Sequence, residues 1–143
     1  MAKVSMSMRI DAPARQVWEL VGAFNALPDW HPAVEKSEIE GEGGSKGTVR
    51  RLSIIGGGGT IVERLEDVDD RERRYSYSIL QGPLPVANYQ ATIKVSEDEG
   101  GKSCTVEWSS EFDPAGTAEA DAVNAIEGVY KAGLENLKNM FGG

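Results

Sequence analysis

What most limits the fold of this chain is the order of its hydrophobic periods: a series of segments alternating every second residue, then one long segment of helical period at the C-terminal end. Val4, Met6, Met8 and Ile10 alternate with Ser5, Ser7 and Arg9, the pattern of a half-buried strand. Further strands are expected over 34–40, a weakly patterned edge closed by glycines 41, 43 and 44, and over 73–80, 89–95 and 103–112. The segments 48–55 and 60–67 flank four glycines, Gly56 to Gly59, and read as a hairpin with a mobile tip. Connections this short favour antiparallel neighbours. From Ala118 to Phe141, Val123, Ile126, Tyr130, Leu134, Leu137 and Phe141 then mark one apolar stripe about six turns long. A curved sheet wrapped around one helix tends to enclose a cavity, and an α+β ligand-holding domain over 1–143 is the expectation.

Between the first two strands the chain changes period. Asp11 and Pro13 suit a helix start, and Val17, Leu20, Val21 and Phe24 follow at helical spacing. Pro28 and Pro32 bracket Asp29, Trp30 and His31 and return the chain to extended structure.

Composition narrows the partners. A formal charge of −8 repels phosphate backbones and anionic membrane surfaces, which leaves neutral or basic small molecules as the expected partners and argues against nucleic acid or membrane. Cys104 is the one cysteine, so no internal disulfide forms, and a reducing, cytoplasmic setting is expected. Residues 1–10 lack the continuous apolar run of a secretion signal, and no stretch approaches the ~20 apolar residues of a membrane span. The charge keeps the chain soluble, as a monomer or homodimer. One histidine and one cysteine give metal binding little support, and no cofactor is expected. The glycine run lacks the Lys, the Ser or Thr and the helix of a phosphate loop.

The sharpest chemical feature is a pair of charges on faces that should be buried. Glu63 shares its side with Ile61 and Leu65, and Arg50 shares its side with Leu52 and Ile54. An ordinary hairpin register puts the two opposite or diagonal, within reach of long side chains. Such a buried pair needs excellent hydrogen bonding; it marks either a functional site or a structural bridge. Tyr75, Tyr77, Tyr89, Trp108 and Tyr130 fall on inward positions and are read as ligand contacts, with packed core as the alternative. His31, beside Trp30, is read as a surface or entrance residue, and both are candidate ligand contacts. In Pro83-Leu84-Pro85-Val86 two prolines stiffen an apolar loop expected to fold over a pocket mouth, with Leu84 touching the ligand. Cys104 alternates with Val106, Trp108, Ser110 and Phe112 and reads as an inert buried thiol. Gly128 and Gly133 in the long helix either leave a void beside the sheet or let the helix pack tightly on it.

The order of a strand, Ala12-Pro13-Ala14, Val17-Trp18, Leu27-Pro28-Asp29-Trp30-His31-Pro32, further strands, Pro83-Leu84-Pro85-Val86 before Tyr89, and a long terminal helix resembles the helix-grip superfamily. That group includes the birch-pollen allergen, the START domains and the polyketide aromatase/cyclases, and the chain looks most like its polyketide cyclase/dehydrase and lipid transport branch. The resemblance spans nearly the whole chain. It implies a seven-stranded antiparallel sheet gripping the C-terminal helix, two short helices between strands 1 and 2, and an internal pocket for an apolar or amphipathic ligand. It also likens the proline loop to the gating loop of plant hormone receptors. Plant lachrymatory-factor synthases of the superfamily carry a similar Gly-x-Val-Arg strand, here Gly47-Thr48-Val49-Arg50, followed by a glutamate in the next strand, here Glu63. By that resemblance Glu63 would move a proton and Arg50 would bind an oxyanion or a ligand carboxylate.

Three functions remain open on the sequence: a binder of a small hydrophobic molecule, a cyclase, dehydratase or isomerase using Glu63 and Arg50, and a protein-interaction module of the co-chaperone kind. The inward charges and helix glycines weigh against the third.

Overall fold

The computed structural model describes residues 1–41 and 45–141. Strands β1 (Ala2–Ile10), β2 (Val34–Glu40), β3 (Val49–Ile54), β4 (Thr60–Asp69), β5 (Arg74–Gln81), β6 (Val86–Glu97) and β7 (Cys104–Pro114) form one sheet in the order β1-β7-β6-β5-β4-β3-β2. Every neighbouring pair is antiparallel. Helices α1 (Ala14–Val21) and α2 (Leu27–Trp30) lie between β1 and β2, and α3 (Glu119–Met140) follows β7. This is the helix-grip arrangement that the order of motifs implied.

Local sequence explains the breaks between elements. Pro13 caps α1 at φ −61°, the value its ring imposes, and its carbonyl accepts the first helical hydrogen bond, from the Val17 amide at 3.2 Å. Glu119 and Asp121 in the first turn of α3 and Lys138 in its last turn complement the helix dipole. The glycine-rich hairpin tip contains a 3-10 turn, Ile55–Gly57. Gly56, Gly57 and Gly59 there adopt φ of 67°, 75° and 101°, which only glycine takes freely. Strand β6 starts at Val86, earlier than its pattern suggested, because an irregularity between Ala87 and Gln90 interrupts the alternation, with Asn88 at φ 54°. Glycines 43 and 44, expected to close β2, lie outside the described residues.

Strand β2 is an edge, as its weak pattern suggested; β1 forms the other edge, and α3 packs along it and β7. The inward faces of β5, β6 and β7 supply Tyr75, Tyr77, Tyr89, Ala91, Ile93, Val106, Trp108 and Phe112 to the core. Helix α3 supplies Ala122, Ile126, Tyr130, Leu134 and Leu137.

The two helix glycines resolve differently. A Cβ on Gly133 would lie 2.7 Å from His31 Cδ2 and 3.1 Å from the rings of Trp30 and Trp108, so this glycine is where the helix backbone accepts three rings. Gly128 is exposed and an added Cβ there would meet nothing within 4 Å. Gly133 thus follows the tight-packing alternative, and neither glycine opens a void against the sheet.

Candidate functional site

The hairpin β3–β4 places Arg50 directly opposite Glu63. Arg50 Nε donates to Glu63 Oε1 at 2.8 Å, and Nη2 sits 2.7 Å from the same oxygen. Nη2 makes no directed hydrogen bond among the described residues, so its contact with Oε1 is Coulombic. Nη1 donates to the Phe24 carbonyl at 2.6 Å, which fastens the turn after α1 to β3. The guanidinium lies over the Phe24 ring, 4.0 Å from its centroid, and within 5.2 Å of the Tyr77 centroid. With residue exposures of 1% and 5%, both charges are removed from water, a state that holds only while they stay paired. Burial pushes the Glu63 carboxyl above the ordinary carboxylate value, against the pull of Arg50. Burial opposes the Arg50 charge most strongly, but Glu63 together with Tyr75 and Tyr77 more than offsets it, and the guanidinium stays protonated.

Beside this pair, between the sheet and α3, is a pocket of about 180 Å³. Its wall is mainly aliphatic: Leu27, Val34, Leu52, Ile54, Ile61, Ile79, Ile126 and Val129. Glu63, His31, Tyr77, Tyr89 and Trp108 also border it. Gly58, Pro83 and Leu84 come from the β3–β4 and β5–β6 turns, and these turns meet, since a Cβ on Gly59 would lie 3.5 Å from Pro83 Cγ. The proline loop thus lies over one side of the pocket.

His31 is not a surface residue. It is 2% exposed, and its ring spans two backbone groups: Nδ1 accepts from the Ala33 amide at 3.2 Å, and Nε2 is 2.7 Å from the Val129 carbonyl. An accepting Nδ1 requires the proton on Nε2, which then donates to Val129 of α3. Burial holds the imidazole below its ordinary pKa, with the Val129 bond working the other way, so the neutral ring is favoured. Asn136 Nδ2 donates to the Trp30 carbonyl at 2.8 Å, and the two bonds clamp the end of α2 onto α3 where Gly133 makes room. The sequence hid this role because proline neighbours alone give no sign of burial.

The aromatic positions all turn inward but divide in two. Tyr77, Tyr89 and Trp108 border the pocket, whereas Trp30, Tyr75 and Tyr130 pack in the core away from its wall. Trp108 Nε1 donates to Tyr77 Oη at 2.9 Å, Tyr77 and Tyr89 hydroxyls are 3.3 Å apart, and Tyr89 bonds Tyr130. Burial raises all three phenols well above their ordinary value, so they are neutral and act as hydrogen-bonding groups. Trp108 stacks on Tyr130 with centroids 4.3 Å apart. Of the ten candidate residues, the structure brings Glu63, His31, Tyr77, Leu84, Tyr89 and Trp108 to one pocket, with Arg50 bonded to it through Glu63. The aliphatic wall was not singled out as a site, although the faces carrying Leu52, Ile54 and Ile61 were legible beside the charged pair.

Cys104 is buried and its thiol is pushed up to about 11, chiefly by burial, so it is no nucleophile. Among the described residues no group of three or more His, Cys, Asp or Glu side chains is placed to hold a metal ion. No described helix is long and apolar enough to cross a membrane.

Comparison with known proteins agrees with the fold. The abscisic acid receptor PYL2 of Arabidopsis thaliana is 32% identical over 139 residues, covering 92% of this chain and 73% of the receptor. A second receptor of that plant, PYL7, is 28% identical, and the chain spans 63% of its length. The solved structure of XoxI from Bacillus cereus superposes with a TM-score of 0.91 at 43% identity, covering 99% of this chain and 96% of that one. Residues 1–142 match the family described as polyketide cyclase / dehydrase and lipid transport, and the chain belongs to that family.

Proposed function

We propose that this chain is a single ligand-binding domain that holds a small hydrophobic or amphipathic molecule in the pocket between its sheet and α3. The observation that carries the reading is the composition of that wall: aliphatic side chains from β2, β3, β4, β5 and α3 around one carboxylate, Glu63. A buried charged pair is poor structural material, because apolar residues of similar volume usually serve as well or better. Its position at an apolar pocket, the usual form of a small-molecule site, is what a functional role accounts for. The plant relatives, receptors for a small acid by name, and the family's description support binding of a small molecule. A cytoplasmic setting fits the lone, buried, free thiol.

A second reading has its own support. The Glu63 carboxyl is raised toward the range of a general acid or base and borders the pocket, as a cyclase, dehydratase or isomerase would require. In that case Glu63 moves the proton, Arg50 holds the carboxylate in place, and the Tyr77 or Tyr89 hydroxyl steadies developing charge. Glu63→Gln would then abolish turnover while leaving binding of apolar molecules nearly intact. Unchanged turnover in that variant would remove Glu63 from the mechanism.

The direct test of the binding reading is native mass spectrometry of freshly purified protein, with denaturing extraction of whatever leaves with it, followed by a screen of small apolar compounds. A stoichiometric small molecule, or a saturable one from the screen, is the expected result. A clean mass and no saturable binder would leave the pocket a packing defect.

A further inference from the structure

The polar atoms around the pocket are nearly all committed to partners within the protein. His31 uses both ring nitrogens on backbone groups, and Trp108 Nε1 is spent on Tyr77. The Tyr77 and Tyr89 hydroxyls face one another, and Tyr89 is bonded on to Tyr130. No lysine or arginine is among the described residues that border the pocket. Arg50, the nearest candidate, has Nε on Glu63 Oε1 and Nη1 on the Phe24 carbonyl, and its side chain is 1% exposed. Both Arg50 contacts with Glu63 fall on Oε1, and no donor among the described residues bonds Oε2. Arg50 Nη2 makes no directed hydrogen bond either, but it is held 2.7 Å from the same Oε1 and Arg50 does not border the pocket, so at the wall itself the unspent valence among the described residues is the acceptor Oε2.

An acceptor without a free donor or cation sets the chemistry of what can enter. A carboxylate ligand would face the Glu63 carboxylate with nothing to neutralise it, and would lose its hydration without replacement. A hydroxyl or ammonium group would instead complete Glu63. Volume adds a second limit. A cavity of 150 Å³ takes benzene in another protein, so about 180 Å³ fits one ring with a short substituent.

We propose that the pocket selects a single-ring apolar molecule bearing a hydrogen-bond donor, an alcohol or a protonated amine, seated with its donor on Glu63 Oε2, and that it rejects carboxylates. The selection rests on the reading of this pocket as a ligand site and goes beyond it. It also separates this chain from its plant relatives, whose name specifies an acid.

Four probes of nearly equal shape test it: toluene, benzyl alcohol, benzylamine and benzoate, titrated at pH 7.5 against the wild-type chain and followed by amide and indole NMR shifts at Leu52, Ile61, Ile126 and Trp108. Benzyl alcohol or benzylamine should bind about tenfold tighter than toluene, the worth of one hydrogen bond to a charged group, and benzoate should be the weakest of the four. In Glu63→Gln the amide oxygen takes over the Arg50 bond and the amino group turns to the pocket, so benzoate gains and benzylamine loses about tenfold. Benzoate binding as tightly as benzyl alcohol, with toluene also bound, would overturn the donor selection and leave the pocket reading standing. Shifts at none of the four residues with any probe would overturn both. Should Glu63→Gln not fold, the wild-type ranking decides alone.

Discussion

The two ends of the space between sheet and helix are built on opposite plans. At the α2 end, α3 meets Trp30, His31 and Trp108 so closely that residue 133 has no room for a Cβ, and polar atoms find their partners within the protein. At the β3–β4 end the helix faces aliphatic side chains across about 180 Å³, beside a carboxylate with one oxygen engaged. One layer of structure thus contains a close-packed half and a half that packing leaves open. The rings at one end fix where α3 lies, and that position keeps the other end from collapsing.

This contrast breaks most severely at the charged pair. Arg50→Met should cost about 3–5 kcal/mol in denaturant unfolding, because Glu63 is left buried and unpaired, and Arg50→Met with Glu63→Met should recover most of it. A loss below about 1 kcal/mol in the single variant would mean the pair is solvated and the open end is not the apolar site described. At the packed end, Gly133→Ala forces a methyl against three rings and should cost about 1–3 kcal/mol by the same measurement. If it is tolerated, the rings do not set the position of α3.

Acid sharpens the comparison further. Burial depresses the pKa of His31 in the folded chain, so its contribution to stability is fully present above the unfolded value of about 6.5 and is lost as pH falls through the lower folded value. Unfolding free energy should therefore drop between pH 7 and pH 5, and the drop should shrink in His31→Gln; equal slopes in the two proteins would place His31 in water. The smallest effect is expected at Gly128, on the exposed face of the same helix, where alanine should stabilise by up to about 1 kcal/mol through helix propensity alone.

How far each end could be read from sequence follows the same division. The facing of Arg50 and Glu63 was legible because a period-two pattern on both sides of a glycine turn fixes which side chains share a face. The six-turn stripe gave α3 to within a residue or two at each end. The role of Gly133 was not legible, since a glycine has no side chain and close approach to it depends on a turn 100 residues earlier in the chain. The burial of His31 was hidden for the same reason: its partner is the carbonyl of Val129, and backbone groups leave no trace in a residue pattern. The division of the aromatics into pocket wall and core was equally hidden, because alternation says which face a residue takes and not how far along the sheet the helix covers it.

The most direct test of the central claim is a filtered NOE experiment on isotopically labelled protein with unlabelled benzyl alcohol bound. Ring protons should contact methyl groups of the pocket wall, among them Leu52, Ile61, Ile79 and Ile126. Contacts only to methyls on the outer grooves, such as Leu80 and Val86 at the rim of β5 and β6, or no intermolecular contacts at saturating probe, would contradict the account.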